Sequence, residues 1–525
     1  MRKQTPSFVL ELPLKVSSKE EKELLSRLES ARKLYNACLG EAKKSVLLIK
    51  QSKLFQKARR LPKNDKNRNS LFKTAREKQD FSEYSLHKYV GKLRHTIPNN
   101  LDIQTTQKIA SRAFHAAEKM LYGTARKVRF KGFNQMNSLE SKSNDTGIRW
   151  RDNSVVWNGL NLKPIIYTQD EVIRHGLQQN VKYCRVVRKV IRKTNRFYVQ
   201  LVLEGKPLEK NKNKLGKGNV AFDFGPSTVA IVSQDQDGFH AKLLQFCSEL
   251  KSREAEIHNL QRKIERQRRQ SNPQNYLPNG KIKNGRHKWK KSNKQKENES
   301  QLRNLYQIVS SHRKSLQGKL INETLRMGNN FKTERVSRKW LQKNFGKSVG
   351  MRSPGMFVSG LRRKAESAGG TFLEFPTVTT KLSQTCVCGQ QHKKLLSDRV
   401  HSCSCGVTAQ RDLFSAFLAL YVEPQSDEKD KYTCHTDLAQ KAWSSADTPL
   451  QTAWQVASQS TTEGLVPSTF GKYPWGQSGS PAETRIVKFE VQDVVPACPW
   501  GGESLKENEM VPQNPRGFNP CGVSA

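Results

Sequence analysis

The sequence predicts a multidomain α/β protein with a zinc-ribbon insert, on three observations. The chain has 525 residues, more than one hydrophobic core can organise. Apolar residues follow the helical period in some stretches and the strand period in others. Residues 380–420 read TKLSQTCVCGQQHKKLLSDRVHSCSCGVTAQRDLFSAFLAL, in which two Cys-x-Cys-Gly knuckles precede Arg-Asp and an apolar helical run. The rest of the chain is arranged around this stretch.

Residues 8–16 predict an opening strand, and Ser17 and Ser18 then cap a helix with acidic residues in its first turn. Helical periodicity continues over residues 17–122 and gives way to extended patterns over 123–215. We therefore expect a small β-barrel or sheet that is interrupted, after its first strand, by a helical segment.

Cations alternate with apolar or aromatic residues in Arg126-Lys-Val-Arg-Phe-Lys-Gly-Phe133. Such a pattern suits a strand that follows a phosphate backbone and stacks bases. A sheet with one solvated basic face gives the same pattern, and the sequence does not separate the two. The candidate nucleic-acid contacts in this segment are Arg126, Lys127, Arg129 and Lys131.

The second half begins with two apolar runs over residues 219–233, and Asp223-Phe-Gly225 lies between them. An Asp in an apolar strand is costly to bury without a partner, and a metal ion is one solution. A hairpin Asp is the commoner explanation of this short motif.

Residues 248–327 predict a helix–loop–helix insertion, whose polar segment 270–296 we expect to be a mobile basic loop. Its candidate nucleic-acid contacts are Arg286, Lys288, Trp289 and Lys290. A short strand over 331–334, a loop over 346–355, a helix over 356–368 and a strand over 371–375 are expected to follow.

Four thiolates in two close pairs suit a tetrahedral zinc ion. The predicted ligands are Cys386, Cys388, Cys403 and Cys405. The single-residue spacing departs from the usual Cys-x-x-Cys, and His392 and His401 are possible substitute ligands. The other six cysteines are scattered, which is typical of reduced thiols rather than a disulfide scaffold.

An Asp in an apolar strand, a Glu at a strand end and an Asp beginning a helix make a three-carboxylate site. Such sites hold two Mg²⁺ ions, which favour hard oxygen ligands and catalyse phosphodiester hydrolysis. Asp223 and Asp412 fit the first and last positions in an RNase H-type core. For the middle position the residues alone leave two candidates, Glu334 and Glu374.

Lys and Arg number 92 against 47 Asp and Glu, a net charge of +45. Such a surface repels itself unless it binds a polyanion, so we expect nucleic acid as the partner, with a ribosome- or membrane-associated basic protein as the alternative. Residues 424–525 contain 12 acidic and 8 basic residues, a net of −4, so residues 1–423 carry +49. No apolar run approaches the ~20 residues that span a bilayer, and the N-terminus lacks a signal-peptide core.

Three stretches resemble the RuvC segments and zinc motif of TnpB proteins, which are transposon-encoded RNA-guided DNA nucleases related to compact type V CRISPR effectors. These stretches are AFDFGPSTVAIVS, KTERVSRKWLQKNFGKSVG and TKLSQTCVCG…CSCGVTAQRDLFSAFLA. The resemblance runs from residue 218 to about 420, is weaker before that and lapses beyond 424. It implies an RNase H-like RuvC core with a zinc-ribbon insert, and a β-barrel wedge domain interrupted by a helical recognition domain.

Carried onto this sequence, the resemblance implies Asp223, Glu334 and Asp412 as the catalytic residues that hold two Mg²⁺, with one structural zinc. It favours Glu334 over Glu374, because the matching text surrounds Glu334. Gln410 stands where many relatives have Asp.

The implied function is an RNA-guided DNA endonuclease that binds a guide RNA, recognises a short motif beside double-stranded target DNA and cuts it in one RuvC site. A nuclease-silent RNA-guided repressor or transposition adaptor is the alternative, and a resolvase or transposase without RNA is a second. We expect a soluble protein of the bacterial cytoplasm, associated with the nucleoid.

Five predicted domains summarise the organisation of the chain. These are a wedge domain in 1–16 and 123–215, a recognition domain in 17–122, a RuvC domain in 216–385 and 407–460 with its helical insertion at 248–327, a zinc ribbon in 386–406, and a disordered tail in 461–525.

Overall fold

The computed structural model describes residues 5–62, 64–97, 101–209, 214–395, 398–425 and 431–459. The chain divides into two compact units between residues 209 and 210, and each is described by itself. The predicted tail, 461–525, lies outside the described residues. Within the described ranges, no helix combines the length and apolarity needed to cross a membrane.

The first unit combines a helical segment with a β-sheet. Its elements are β1 (Ser7–Lys15), α1 (Ser18–Gln51), α2 (Lys53–Arg60), α3 (Lys66–Glu77), α4 (Glu83–Leu93), α5 (Ile103–Leu121), β2 (Ser138–Glu140), β3 (Arg149–Arg151), β4 (Ser154–Trp157), β5 (Leu160–Pro164), α6 (Glu171–Leu177), β6 (Val181–Ile191) and β7 (Thr194–Glu204).

The seven strands form one antiparallel sheet in the order β2-β6-β7-β1-β5-β4-β3. The first strand of the chain pairs with β7 on one side and β5 on the other, so it lies inside the sheet. Helices α1 to α5 therefore occupy the sequence between this strand and the other six strands of the same sheet.

Helix α1 begins with a capping box, in which Ser17 and Glu20 hydrogen-bond each other's backbone N–H groups. Its apolar face is buried, and Arg27 is buried beside that face at 1% exposure. The Arg27 guanidinium donates to the carbonyl oxygens of Trp157 and Asn158 at 2.9 and 2.7 Å. It also pairs with Glu23 and lies 4.5 Å from the centroid of the Trp157 ring. One side chain thus fixes α1 to the turn between β4 and β5.

Residues 126–133 form no strand, contrary to the prediction from their alternating pattern. Their backbone is bound instead by side chains of α1. Asn36 accepts from the Lys131 N–H at 2.8 Å and donates to the Lys131 carbonyl at 2.9 Å, and Arg32 donates to the same carbonyl at 3.0 Å. These bonds replace a strand ladder, because they satisfy the backbone groups that a neighbouring strand would otherwise take.

The second unit is built on a mixed sheet with helices on both faces. Its elements are β8 (Asn219–Phe224), β9 (Thr228–Asp235), β10 (Gly238–Gln245), α7 (Lys251–Ser271), α8 (Asn293–Leu325), β11 (Asn330–Arg335), α9 (Arg338–Arg352), α10 (Pro354–Ser367), β12 (Thr371–Pro376), α11 (Thr377–Thr380), β13 (Val400–Ser402), β14 (Thr408–Gln410), α12 (Arg411–Ala419), β15 (Val422–Pro424), β16 (Tyr432–Cys434) and α13 (Thr436–Gln459).

The five-stranded sheet has the order β10-β9-β8-β11-β12. Strands β8, β9 and β10 form an antiparallel meander, whereas β11 runs parallel to β8 and β12 runs parallel to β11. Because side chains alternate along a strand, each strand contributes to two cores. Ala221 and Phe375 join the core with α12 and α13, and Phe222 and Phe331 join the core with α7, α8 and α10.

Residues 346–352 continue helix α9, where the sequence predicted a loop over 346–355. Gly346 and Gly350 suggested that loop, and the helix is kinked beside the first of them at Phe345, with φ −127° and ψ 34°. The last turn is held by the buried Arg352, whose guanidinium makes one tertiary contact and one within the helix. Its guanidinium donates to the Phe246 carbonyl at 2.9 Å and to Ser348 Oγ at 3.0 Å. Long-range hydrogen bonds thus outweigh the low helix propensity of glycine.

The sequence predicted a mobile loop over 270–296, of which the structure leaves residues 272–292 as the connection between α7 and α8. They contain a single 3₁₀ turn over Pro273–Asn275 and an antiparallel bridge between Tyr276 and Ile282. The prediction was based on composition, which does not register side chains that bind the backbone of their own segment.

Replacing Arg27 with Met should destabilise the first unit by about 3 kcal/mol, because the carbonyls of Trp157 and Asn158 lose their donors. Urea unfolding of the full-length protein, followed by circular dichroism, measures the shift. The exposed Lys33 on the same helix supplies the control, Lys33→Met, which should change stability by less than about 0.5 kcal/mol. Equal effects of the two substitutions would contradict an anchoring role for Arg27.

Candidate functional site

Two carboxylate side chains lie at the carboxyl ends of neighbouring parallel strands. Asp223 is the penultimate residue of β8, and Glu334 is the penultimate residue of β11. Thr333 is in register with Phe222, so Glu334 and Asp223 follow at the same level of the sheet. Because side chains alternate between the two faces of a strand, both carboxylates lie on the same face of the sheet as Ala221. The Ala221 side chain lies in the core beneath α12. The two carboxylates therefore share one face and one end of the sheet.

The third carboxylate, Asp412, comes from the first turn of α12, the helix that packs on that face. Gln410 caps the helix, and its side-chain oxygen accepts from the Leu413 N–H at 2.8 Å. Asp412 is buried, and Arg411 Nε lies 3.6 Å from its Oδ1. The helix start thus brings a carboxylate and a guanidinium to the strand ends.

The pKa of each carboxyl is raised, and the causes show that the three lie together. Burial raises the pKa of Asp223 well above its usual range, and the negative charges of Asp412 and Glu334 add to the effect, which Arg411 opposes. Burial raises the pKa of Glu334 to about 7, against hydrogen bonds from the Leu382 backbone and the Thr380 hydroxyl. Burial also raises the pKa of Asp412, against the charges of Arg411 and Arg399.

Three carboxyls that repel one another, one buried and two half-buried, suit a divalent cation. They offer only oxygen ligands, which is the donor set that Mg²⁺ prefers. A bound cation would supply the positive charge that burial and mutual repulsion leave uncompensated. The residues present therefore fit the magnesium ions that the sequence predicted.

Glu374, the other candidate for the middle position, faces away from this cluster. It is in register with Thr333, one residue before Glu334, so its side chain belongs to the opposite face of the sheet. There its Oε2 pairs with Arg362 of α10 at 2.8 Å. The sequence left this choice open, because the register between β11 and β12 cannot be read from local patterns.

The four predicted zinc ligands, Cys386, Cys388, Cys403 and Cys405, lie with their sulfur atoms within 4.8 Å of one another. The 386–405 and 388–403 sulfur pairs are 3.5 and 3.6 Å apart. Tetrahedral zinc with Zn–S bonds of about 2.3 Å requires sulfurs roughly 3.8 Å apart, so the cluster could close on a zinc ion with small movements.

The two knuckles repeat one hydrogen-bond pattern. Gly389 N–H donates to the Cys386 carbonyl, and Gly406 N–H donates to the Cys403 carbonyl, both at 3.0 Å. Each glycine has a left-handed φ, 84° and 92°, which disfavours other residues at that position. The Cys-x-Cys-Gly spacing thus forms a regular turn in spite of its departure from Cys-x-x-Cys.

Neither candidate histidine replaces a cysteine. His401 is buried, its ring stacks on Phe414 with centroids 4.1 Å apart, and its Nδ1 bonds to Lys394. His392 Nε2 lies 4.0 Å from the Cys403 sulfur and hydrogen-bonds to Gln390 at 3.2 Å. Among the described residues, the four cysteines are the one group of His, Cys, Asp or Glu residues whose ligand atoms all lie within 4.8 Å of one another, so the carboxylates of Asp223, Glu334 and Asp412 are more widely spaced.

The cysteine cluster is connected in sequence to two sides of the carboxylate cluster. Leu382 and Thr380, which hydrogen-bond to Glu334, come just before Cys386. Strand β14 follows Cys405 and leads directly into the helix that carries Asp412. A metal bound to the four sulfurs would therefore restrain the chain on both sides of the cluster, at residues 380–382 and at the strand that leads into α12.

The predicted cations of the first unit differ in exposure. Arg126, Lys127 and Arg129 are exposed. Lys131 is half-buried, its Nζ lies 5.3 Å from the centroid of the Tyr35 ring, and burial lowers its pKa. Three of the four side chains are therefore free to meet a polyanion, and Lys131 serves partly in packing.

The predicted nucleic-acid contacts of the second unit also differ in their solvent exposure. Arg286, Lys288 and Lys290 are exposed, whereas Trp289 is half-buried beneath Arg268, whose guanidinium carbon lies 3.8 Å from the ring centroid. The sequence suggested that Trp289 stacks on bases. The structure instead gives one ring face to a side chain of the protein.

Sequence reasoning missed the half-buried Lys332, whose Nζ donates to the carbonyls of Leu420 and Val422 at 2.8 and 2.9 Å. Burial lowers its pKa, and it lies two residues before Glu334 on the same face. It binds the end of α12 to the strand that carries Glu334. A lone Lys in an apolar strand was the available signal. No sequence pattern pointed to Thr380 and Leu382, because their contact with Glu334 is between residues far apart in the chain.

Residues 355–418 match the family model described as Cas12f1-like, TNB domain. This segment contains all four cysteines and Asp412. In this part of the chain, the resemblance to TnpB-like proteins and compact type V CRISPR effectors is confirmed. No curated protein matches the chain.

Two solved structures are similar to the chain at low identity. One is titled "Cryo-EM structure of the Cas12f1-sgRNA-target DNA complex", with 11% identity, a TM-score of 0.40, and coverage of 78% of this chain and 98% of that chain. The other is titled "Cryo-EM structure of CRISPR-Cas12f Ternary Complex", with 12% identity, a TM-score of 0.27, and coverage of 79% and 83%. Both TM-scores are below 0.5, so these similarities do not add to the assignment of the site.

Metal-free protein should lose stability as the pH rises from 4.5 to about 7, the window over which Glu334 ionises later in the folded chain than in the unfolded one. The folded state binds the extra proton there, so the cost of ionising Glu334 is absent below this window and complete above it. Glu334→Gln should raise the melting temperature at pH 8 by on the order of 5 °C relative to wild type and leave it nearly unchanged at pH 4.5. Calorimetry in magnesium-free buffer measures both values.

The matched control is Glu374→Gln, on the opposite face of the same sheet. It should not stabilise the protein at pH 8, because its carboxylate is paired with Arg362. A Glu334→Gln variant less stable than wild type at pH 8 would contradict the account of the carboxylate cluster.

Purified protein should contain one zinc per chain, because four thiolates complete a tetrahedral site. Elemental analysis should show its loss in the Cys403→Ser/Cys405→Ser double variant and its retention in Cys434→Ser, which alters a cysteine outside the cluster. Full zinc in the double variant would rule out the four-thiolate site.

Proposed function

We propose that the protein is an RNA-guided DNA endonuclease with a magnesium-dependent RuvC-type site. The observation that carries the proposal is that Asp223, Glu334 and Asp412 lie at one end of the mixed sheet as carboxyls with raised pKa values, Asp412 buried and the other two half-buried. The match of residues 355–418 to the Cas12f1-like TNB domain supports the guided class, and the +45 charge supports a polyanionic partner.

On this proposal the second unit is an RNase H-like core with a zinc-ribbon insert. Its support is that the two carboxylate-bearing strands are adjacent and parallel, and that the third carboxylate arrives on a helix packed against the same face. The first unit is then the β-barrel wedge with its inserted helical recognition domain. The single sheet that includes both β1 and β7 supports that division.

Asp223, Glu334 and Asp412 would hold two magnesium ions, which supply an activated water and charge stabilisation for hydrolysis of a phosphodiester. The chain's own groups orient those ligands. Hydrogen bonds from Leu382 and Thr380 favour the ionised form of Glu334, and Arg411 and Arg399 favour the ionised form of Asp412. These contacts oppose the rise in pKa that burial causes, so each carboxyl is more ionised at neutral pH than burial alone would leave it.

Guide RNA and double-stranded target DNA are the proposed partners, and both cryo-EM complexes named above are of Cas12f proteins, one titled with sgRNA and target DNA. Pairing with the guide would supply most of the sequence specificity, while the protein binds the backbone and reads a short motif beside the target. Sequencing the RNA that copurifies with the protein identifies the guide and allows a matched target to be built.

Asp223→Ala, Glu334→Ala and Asp412→Ala should each slow cleavage of the guided target by ~100-fold or more, because each removes a ligand from the hydrolytic site. Guided DNA binding should change less than ~3-fold, since it rests on phosphate contacts and base pairing. Plasmid cleavage and gel shift on the RNA-loaded protein measure the two properties.

Glu374→Ala is the matched control, because this carboxylate lies one residue out of register and faces the other side of the sheet. It should cut at close to the wild-type rate. Loss of cutting in Glu374→Ala with retention in Glu334→Ala would reverse the assignment of the middle carboxylate. Guided binding without cleavage by the wild-type protein would instead favour the nuclease-silent repressor or adaptor.

A further inference from the structure

The connection between α7 and α8, residues 272–292, is the most densely basic loop among the described residues of the second unit. We refer to it as the basic prong. It contains six Lys or Arg residues and no Asp or Glu. A loop of this composition is expected to be unstructured, so any order in it needs a specific cause.

Two asparagines of the prong hold its backbone in an ordered conformation. Asn272 is fully buried, accepts from the Lys290 N–H at 2.7 Å and donates to the Lys290 carbonyl at 2.9 Å. Asn275, also buried, donates to the Lys288 carbonyl at 2.9 Å. The outgoing and returning arms of the prong are therefore fastened by side-chain amides in addition to the antiparallel bridge between Tyr276 and Ile282.

The aromatic residues of the prong are held by helix α7. Glu265 is 5% exposed, and its Oε1 accepts from the Tyr276 hydroxyl at 3.0 Å and from Arg269 at 3.1 Å. That hydrogen bond and burial raise the pKa of Tyr276 to about 12. Arg268 covers one face of Trp289, and Tyr276 meets the same ring edge-on at 5.9 Å. Both rings thus serve as internal supports.

The cations of the prong, unlike its aromatic residues, are exposed to solvent. The side chains of Lys281, Lys283, Arg286, Lys288 and Lys290 are all exposed. Within the described part of the chain, none of these five makes an ion pair, and Lys291, the sixth cation, pairs with Glu299 at 2.8 Å. The protein therefore fixes a loop at its base and leaves five positive charges uncompensated on its outer surface.

We propose that the basic prong is a preformed binding element for the sugar–phosphate backbone of double-helical nucleic acid, and that it contacts no bases. The proposal rests on the nucleic-acid-binding part of the proposed function and deepens it. Cations held in place without acidic neighbours suit phosphates, which need charge at fixed spacing. Base stacking, the usual source of affinity for single strands, needs an open aromatic face, and Trp289 has one face covered by Arg268.

The test measures binding of full-length protein to a 20-base-pair RNA hairpin, a 20-base-pair DNA duplex and a single strand, over a range of salt concentrations. Lys283→Ala/Lys288→Ala should lower affinity for at least one duplex by about 10-fold at 100 mM salt and reduce its salt slope by roughly 2, independently of sequence. Whichever duplex shows the larger loss identifies the natural partner of the prong.

The charge-matched control is Lys314→Ala/Lys319→Ala, which removes two exposed lysines from α8 outside the prong. It should change duplex affinity by less than ~3-fold. Equal losses in both double variants, or a loss confined to the single strand, would overturn the proposal. Failure of the wild-type protein to bind any nucleic acid would instead overturn the proposed function itself.

Glu265→Gln tests the preformed base separately, because Glu265 is buried and distant from the exposed cations in sequence. It should increase tryptic cleavage within residues 281–291 and lower duplex affinity by about 3-fold, with the melting temperature of the whole protein unchanged. Trp289→Leu, which removes the aromatic face, should retain wild-type affinity for the single strand. Faster cleavage with unchanged duplex affinity would contradict the requirement for a preformed prong, and a single-strand loss in Trp289→Leu would show base stacking.

Discussion

The second unit depends on keeping three carboxyl groups together in a place where they repel one another. Asp223, Glu334 and Asp412 each have a raised pKa, and burial is the first cause in all three. Such an arrangement costs folding free energy when the groups ionise, and it persists only because the surrounding fold is strong enough to impose it. A cluster of this kind is expected where chemistry rather than stability sets the residue types.

Several independent contacts hold the three carboxylates together. Strands β8 and β11 are hydrogen-bonded neighbours, which fixes the first two carboxylates at one level. Lys332 binds the carbonyls at the end of α12, and Gln410 caps its beginning, so the helix that carries Asp412 is held at both ends. The four-cysteine cluster lies in sequence between the Thr380–Leu382 contacts to Glu334 and the start of α12, so zinc binding would join these supports.

Local chemistry made much of this site predictable. The Cys-x-Cys-Gly knuckles, the Asp in an apolar strand and the Asp at a helix start are each short-range patterns, and the structure brings the residues they name together. The capping box of α1 was visible for the same reason. Such features depend on residues within four positions of one another, which a sequence displays directly.

The features that the sequence did not predict depend on contacts between residues far apart in the chain. The register of β11 against β12 decides that Glu374 faces Arg362 and not Asp223, and no local pattern encodes that register. Residues 126–133 have an alternating pattern but bind the side chains of α1, and Trp289 lies beneath an arginine of another element. In each case the observed contact is made by a side chain from another element of the fold. The sequence alone had suggested a different partner, such as a neighbouring strand for residues 126–133 or a base for Trp289.

The central claim is that the three carboxylates form one site for a pair of divalent cations. Electron paramagnetic resonance of the protein titrated with Mn²⁺ tests it directly, because two Mn²⁺ ions about 4 Å apart give a spin-coupled spectrum. The account predicts two coupled Mn²⁺ ions per chain in wild-type protein and in Glu374→Gln, and loss of the coupled signal in Asp223→Asn and Glu334→Gln. An uncoupled spectrum in the wild type, or a coupled one that survives both Asp223→Asn and Glu334→Gln, would contradict it.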